Sequence, residues 1–405
     1  MEESPDDAAL NELTITILAH SVTAAVAGEF ADRARFRKVD LAKLYRLTLA
    51  CMRNPAARPS TLTHGLTLLA GCALNGSREM RTVPSTLDLF VAGLRSHNLT
   101  TRCKCLVALW EFMDLGADKS GPTLIPGLFV RALERGTPPY LNRILAHYGP
   151  DRSDICMTLR AQHEYTKGML ESVENRDLLA LGRMQAHVIV SAEYSVGQGY
   201  FEVEDPRTGK KELSDPGLGF VSWVDALPVC AKVLRETGDA KDRDMADILE
   251  LKFRIYRQRS DDTVKFAGEA IARNPQVAYF HYAMSLGTMD SVVGLRACKR
   301  GLMCSETTPF VRSYLLWCAV DHAARLALSA LFEPYAGPQN KFAEGVAFIV
   351  SALEDARTFI TDVCPDSKHT ISMVHWYMML MLALRGDEIG DNLELFEVSS
   401  LQPAY

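Results

Sequence analysis

The sequence contains none of the short motifs that identify common nucleotide-binding or hydrolytic enzymes. It has no GxxxxGK[ST] or GxGxxG loop, no HExxH zinc motif and no GxSxG nucleophile turn. Each of these motifs places backbone N–H groups or side chains around a reacting group. Their absence removes the usual signals of phosphate binding, metalloprotease chemistry and serine hydrolysis. We therefore assign no catalytic and no cofactor-binding residues from the sequence.

Closely spaced cysteine pairs are also missing. The 405 residues include 10 cysteines but no CxxC pair, which argues against a zinc finger or a redox pair. Cys103 and Cys105 are nearest to each other, and on a helix they would point about 200° apart. Most of the cysteines lie among apolar residues, where a free thiol packs as a small hydrophobic group. We expect an intracellular protein of the cytoplasm or nucleus, because both compartments are reducing.

Long hydrophobic runs are scarce. The apolar stretches at 15–27 and 371–384 are shorter than the roughly 20 residues that a membrane-spanning helix needs. The first stretch follows an acidic segment instead of the basic one that precedes a signal sequence. We expect neither a secretory leader nor a membrane partner.

An excess of positive charge is missing as well. The net charge is -6, so the chain as a whole does not attract nucleic acid or anionic lipid. One basic cluster stands out and is interrupted by two aspartates: Arg33, Arg35, Arg37, Lys38, Lys43 and Arg46. We interpret it as a solvated helix face. Phosphate contact by a basic stripe from Arg33 to Arg58 is the alternative.

Helical periodicity is abundant. Apolar residues recur every three or four positions in most long segments, and short Asn-, Gly-, Pro- or Ser-containing stretches separate them. Strand-like alternation is confined to 199–217, where two short alternating runs flank a turn at 205–209. The pattern predicts an all-α protein with one small β-hairpin or extended insertion.

The first half contains a helix pair of a recognisable kind. Residues 85–116 predict two helices joined by a polar turn, with Arg102 early in the second helix and an aliphatic face beyond it. This arrangement resembles a HEAT or armadillo repeat. In such a repeat the arginine can cap carbonyl groups or pair with the neighbouring repeat.

The second half contains a repeat spacing. Pro275 and Pro309 end two short helical segments and are 34 residues apart, which is the tetratricopeptide (TPR) period. A shift by this period aligns three pairs of small residues: Thr263 with Ala297, Ala267 with Gly301, and Ala270 with Cys304. Small residues are needed where two helices cross closely. We predict TPR-like packing, with plain helical stacking as the alternative.

These patterns together predict an all-α helical-repeat superhelix of four segments. Residues 1–195 form a HEAT/armadillo-like region and residues 221–386 a TPR-like region. The hairpin or loop at 196–220 is the expected joint, and residues 387–405 form an acidic tail.

Two tyrosines are the candidate partner-binding residues. Tyr279 and Tyr282 fall near TPR positions that line a concave groove, and aromatic residues are enriched at interface cores. Packing in the core is the alternative for both side chains.

Other reactive side chains are better explained by packing. The best metal-ligand set is Asp362, Cys364, His369 and His375. The two histidines are six residues apart and would diverge by about 120° on a helix, so we assign no metal site. Cys298 and Cys304 lie near basic residues but fit helix packing, and we interpret His281 as a half-buried structural histidine.

Three segments carry a family resemblance: 94–112, 278–316 and 360–386. They resemble the helical region of a large group of mushroom-forming fungal proteins, many of which end in a MYND-type zinc finger. The resemblance covers residues 85–385 and implies a helical-repeat interaction scaffold. The MYND finger is built from repeated CxxC pairs, which this sequence lacks, so zinc binding is not carried over.

We therefore predict a non-catalytic α-helical repeat scaffold that binds one or more unidentified proteins through a concave face. One alternative is an intracellular enzyme whose site assembles only in three dimensions. The other is a nucleic-acid-binding protein that uses the basic helical face.

Overall fold

The computed structural model describes residues 7–26, 39–73, 76–114, 139–193, 196–204, 209–305, 307–332 and 340–388. Within these ranges the chain forms 17 α-helices and one two-stranded sheet. The chain divides into two compact units. The first comprises Met1–Pro122, Leu328–Gly345 and Met378–Tyr405, and the second comprises Thr123–Ala327 and Val346–Tyr377.

The first unit contains six helices from the early part of the chain. They are α1 (Ala8–Val26), α2 (Leu41–Arg53), α3 (Pro59–Gly71), α4 (Ser77–Arg81), α5 (Ser85–Gly93) and α6 (Leu99–Asp114). Helix α3 packs against α1, α2 and α6, and α5 packs against α6. Their buried apolar faces meet in one core around Leu68, Leu69 and Phe90.

The second unit is a series of adjoining helices. They are α7 (Pro139–Tyr148), α8 (Asp154–Asn175), α9 (Leu178–Ala192), α10 (Ala226–Glu236), α11 (Ala240–Tyr256), α12 (Ser260–Arg273), α13 (Ala278–Gly287) and α14 (Ser291–Leu302). From α8 to α14 each helix packs on the next, and α11 also packs on both α9 and α13. Contacts between neighbours and between alternate helices are typical of stacked helix pairs.

Three further helices complete the described chain: α15 (Pro309–Phe332), α16 (Asn340–Asp362) and α17 (Thr370–Arg385). The predicted all-α architecture of neighbouring helix pairs is therefore confirmed. The HEAT-like and TPR-like assignments and the four segment boundaries remain predictions.

Local sequence determines where several helices begin. Asp239 accepts hydrogen bonds from the Lys241 and Asp242 N–H groups at the start of α11. Asp290 does the same for Val292 and Val293 at the start of α14. These carboxylates satisfy N–H groups that have no partner within the helix.

The predicted hairpin is also confirmed. Strands β1 (Glu202–Glu204) and β2 (Lys211–Leu213) pair antiparallel, with Glu202 opposite Leu213. Both strands are exposed, and an isolated hairpin is marginally stable in water. Aromatic contacts at its base anchor it, because Phe201 packs on Phe220 and on Trp223. The turn residues 205–208 lie outside the described residues.

The six small residues that suggested the repeat are all buried. They lie on α12 and α14 or directly after α14, as the shift by 34 residues requires. Gly301 has little space for a side chain. A Cβ atom there would lie 2.9 Å from the His281 Cβ and 2.9 Å from a Leu315 methyl carbon. Helices α13, α14 and α15 therefore approach closely at Gly301.

We expect Gly301→Ala to lower the free energy of unfolding by about 1–2 kcal/mol, because the added methyl overpacks this crossing. Gly268→Ala on α12 is the matched control, since its Cβ would meet only the Met284 Cε at 3.5 Å. Alanine there should be neutral or stabilising, because it is the better helix former. Urea unfolding of both variants checks the pair, and equal effects would contradict the close crossing.

Arg102 links two distant parts of the first unit. Its Nε donates to the Ala383 carbonyl at 2.8 Å and one terminal nitrogen donates to the Leu384 carbonyl at 3.1 Å. Asp387 lies 3.5 Å from the other terminal nitrogen. Arg102 thus caps carbonyl groups, which is one of the two roles suggested for it, and these carbonyl groups belong to the last turn of α17.

Some sequence predictions fall outside the described residues. Four of the six residues of the basic cluster lie in 27–38, and the acidic tail from residue 389 onward is likewise not described. Among the helices that are described, none combines the length and the apolar character needed to cross a membrane.

Candidate functional site

Tyr279 and Tyr282, the predicted partner-binding residues, are buried in the second unit. Each is 1% exposed, and their hydroxyl groups donate to the Glu193 carboxylate at 3.0 and 2.8 Å. The Lys252 ammonium lies 3.3 Å from the same carboxylate. Burial, together with the neighbouring Glu193 charge, raises the pKa of both phenols, so they remain protonated donors.

We call Glu193, Lys252, Tyr279 and Tyr282 the Glu193 cluster. Neither tyrosine ring is exposed to a partner in this arrangement. It matches the alternative interpretation, in which both side chains pack in the core. The Glu193 cluster contributes no residue to the walls of four pockets that lie among the described residues. The role of the two tyrosines in partner binding stays an untested prediction.

The four metal-ligand candidates face different surroundings. His369 stacks on Trp317 with the ring centroids 4.1 Å apart, and burial lowers its pKa to about 3. Cys364 is buried, whereas Asp362 and His375 are exposed. In the described ranges, no three His, Cys, Asp or Glu side chains group in a way that could hold a metal ion.

The remaining candidates are packed side chains. The Cys298 thiol donates to the Ser285 hydroxyl at 3.0 Å. Burial raises the pKa of the Cys304 thiol, which disfavours the reactive thiolate. His281 is 2% exposed, more deeply buried than expected, and one ring nitrogen contacts the Pro275 carbonyl oxygen at 2.9 Å.

A pocket that sequence reasoning missed lies on α10, α11 and α12. Its volume is about 480 Å³, and we call it the arginine pocket. Four lining residues come from one face of α11 at spacing i, i+4, i+7 and i+11: Arg243, Asp247, Glu250 and Arg254. The wall is completed by Arg235 of α10 and by four residues of α12: Phe266, Glu269, Ala270 and Arg273. The pocket thus contains four arginines from three successive helices.

Three of the four guanidinium groups are held in place by carboxylates. Asp247, whose side chain is 5% exposed, accepts Arg235 at 3.0 Å and Arg273 at 2.5 Å. Glu250 lies 2.9 Å from a terminal nitrogen of Arg254. These ion pairs fix the positions of the arginines, and each planar group retains N–H donors beyond those used.

Phe266 gives the pocket an apolar surface. The Arg254 guanidinium carbon lies 4.8 Å from the centroid of this ring, and that of Arg235 lies 6.0 Å from it. Contacts of this kind combine ring stacking with cation–π attraction. The phenyl ring and the two guanidinium groups therefore support one another.

Arg243 differs from the other three arginines. It is exposed, and within the described residues its guanidinium group has no ion-pair or hydrogen-bond partner. A guanidinium group binds a carboxylate or phosphate through two parallel hydrogen bonds. The pocket can therefore bind an anionic group of a ligand at Arg243. Phe266, in the same wall, can contact an apolar group next to that anionic group.

The sequence carried a weak signal of this pocket. The spacing of Arg243, Asp247, Glu250 and Arg254 places them on one helix face, but solvated helix faces often show the same spacing.

A comparison with protein-family models, curated proteins and solved structures finds no match for this chain. The function is therefore argued from the geometry alone.

Proposed function

We propose that this chain is a non-catalytic helical-repeat scaffold that binds a protein partner, and that the arginine pocket receives acidic side chains of that partner. The observation that carries the proposal is the set of four arginines around Phe266, with Arg243 exposed and unpaired within the described residues. The HEAT-like and TPR-like assignments and the resemblance to fungal helical proteins belong to the same proposal.

Charge supports a local recognition site. The whole chain carries a net charge of -6 and repels an acidic segment at long range. At physiological salt, charges more than about 8 Å apart are largely screened, so the charges of the pocket wall decide the interaction. The wall carries four arginines against three carboxylates, Asp247, Glu250 and Glu269, so an acidic segment meets a net positive wall there.

The helices also give the pocket the rigidity that recognition requires. Arg235, Arg254 and Arg273 are paired with carboxylates on their own or neighbouring helices, so their side chains lose less conformational freedom on binding. An aromatic residue surrounded by arginines is also a common composition for the centre of a protein interface. A partner with a carboxylate next to an apolar side chain fits both features.

The proposal is tested by displaying a peptide library to the intact chain and measuring the affinity of the peptides that it selects. We expect acidic peptides to be enriched, and we expect Arg243→Glu to weaken them about tenfold or more, because it places like charges together. Lys241→Glu is the matched control. It makes the same charge change on an exposed side chain of α11, outside the pocket wall.

Two outcomes would contradict the proposal. One is the selection of peptides without acidic residues, and the other is an equal loss of affinity in the Arg243→Glu and Lys241→Glu variants. The enzyme and nucleic-acid alternatives named from the sequence remain untested predictions.

A further inference from the structure

A second pocket, in the first unit, has a buried lysine in its wall. Its volume is about 460 Å³, and its wall comes from α2, α3, α5 and α6. Apolar side chains form much of this wall: Met52, Leu62, Leu66 and Leu89. The size and the mainly apolar lining are within the range of ligand pockets in proteins. Lys104 of α6 is the only ionisable amine or carboxylate among the residues that line it. We call it the Lys104 pocket.

Lys104 is 2% exposed and lacks a counter-charge in the described part of the chain. Its Nζ donates to the Thr67 hydroxyl oxygen at 2.7 Å. The Thr67 hydroxyl itself donates to the Thr63 carbonyl at 2.8 Å, so its oxygen is free to accept. In the described ranges, the Lys104 Nζ makes no other hydrogen bond and no ion pair. The ammonium group has two further N–H donors, and Lys104 contributes to the pocket wall.

A lysine in this position is costly for folding. Burial without a carboxylate disfavours the charged form and lowers the pKa of Lys104. An apolar side chain of similar length, such as methionine, would fill the same space without this cost. Packing therefore does not account for the amine, whereas a ligand with a negative charge does.

We propose that the Lys104 pocket binds a small amphiphilic carboxylate. The carboxylate group accepts hydrogen bonds from the Lys104 Nζ, and its hydrocarbon chain packs on the apolar wall formed by Met52, Leu62, Leu66 and Leu89. This inference concerns the first unit alone and is independent of the arginine pocket in the second.

Titration calorimetry with decanoate and with decanol tests the inference on the intact chain. Decanol has the same hydrocarbon chain and no charge. We expect wild-type protein to bind decanoate, and we expect Lys104→Met to weaken decanoate about tenfold or more while decanol binding is unchanged. Lys43→Met, an exposed lysine of α2 outside the pocket wall, is the control and should leave both affinities unchanged.

A second pair of variants tests the apolar wall without disturbing the core. Leu62 lines the pocket and is 44% exposed, whereas Leu13 on α1 is 57% exposed and does not line it. We expect Leu62→Asp to weaken decanoate because its charge repels the ligand, and Leu13→Asp to have no effect. The melting temperature separates binding from folding. It should rise or stay constant in Lys104→Met, since the variant removes a buried charge.

Three results would overturn the inference. The first is that wild-type protein does not bind decanoate, and the second is that Lys104→Met binds decanoate as tightly as wild type. The third is reductive labelling of Lys104 by decanal and cyanoborohydride without any binding of decanoate. That result would assign the amine to imine formation with a carbonyl compound and not to carboxylate recognition.

Discussion

Replacing Glu193 with leucine is expected to lower the free energy of unfolding by about 3–5 kcal/mol, which is the cost of removing one partner of a buried ion pair. Lys252, whose side chain is 10% exposed, would lose the carboxylate 3.3 Å away. The Tyr279 and Tyr282 hydroxyl groups would lose their acceptor inside the core. An unpaired buried donor costs more than its hydrogen bond contributed, so the effect exceeds that of an ordinary core change.

Urea unfolding of three variants measures this effect and divides it among its causes. Glu193→Gln keeps an acceptor oxygen for the phenols but not the charge, so it should cost less than Glu193→Leu. The double variant Glu193→Leu/Lys252→Met removes both charges and should recover a large part of the loss. A cost below about 1 kcal/mol for Glu193→Leu would lie outside the range for a buried pair and would contradict the Glu193 cluster.

Replacing Arg102 with alanine is expected to lower the free energy of unfolding by about 3 kcal/mol, since several hydrogen bonds from one charged group are lost together. The side chain is 5% exposed and holds the Ala383 and Leu384 carbonyl groups at the end of α17. The loss should be local, so that amide exchange in the last turn of α17 accelerates more than exchange in α3.

Arg102→Lys is the informative companion variant. A single ammonium group cannot reproduce the planar fork that reaches two carbonyl groups and lies 3.5 Å from Asp387 at once, so lysine should recover less than half of the loss. Arg78→Ala, on an exposed arginine of α4, is the control and should have little effect. Unchanged exchange at the end of α17 in Arg102→Ala would show that the arginine does not hold this helix.

Local patterns predicted the helices, the hairpin and the small-residue positions because each depends on near neighbours in the sequence. A close helix crossing at Gly301 was predicted from the shift by one repeat, and the structure leaves little space for a side chain there. Carbonyl capping was also one of the two roles that its place in a helix pair suggested for Arg102. The residues that it caps were not predicted, because they lie 281 and 282 positions further along the chain.

The surroundings of Tyr279 and Tyr282 could not be predicted for the same reason. Their acceptor, Glu193, is 86 and 89 residues away, and no periodicity connects it with α13. Lys104 is similar. Its sequence neighbours Cys103 and Cys105 indicate a buried helix face. The sequence does not show, however, that α3 packs against this face or that no carboxylate of the described chain pairs with Lys104.

The most direct test of the proposed scaffold is hydrogen exchange of the intact chain with and without the tightest acidic peptide that it selects. We predict slower exchange in the segment 235–273, which contains the arginine pocket, and no change there in the Arg243→Glu variant. Peptide-dependent protection confined to other helices, or equal protection in wild type and Arg243→Glu, would contradict it.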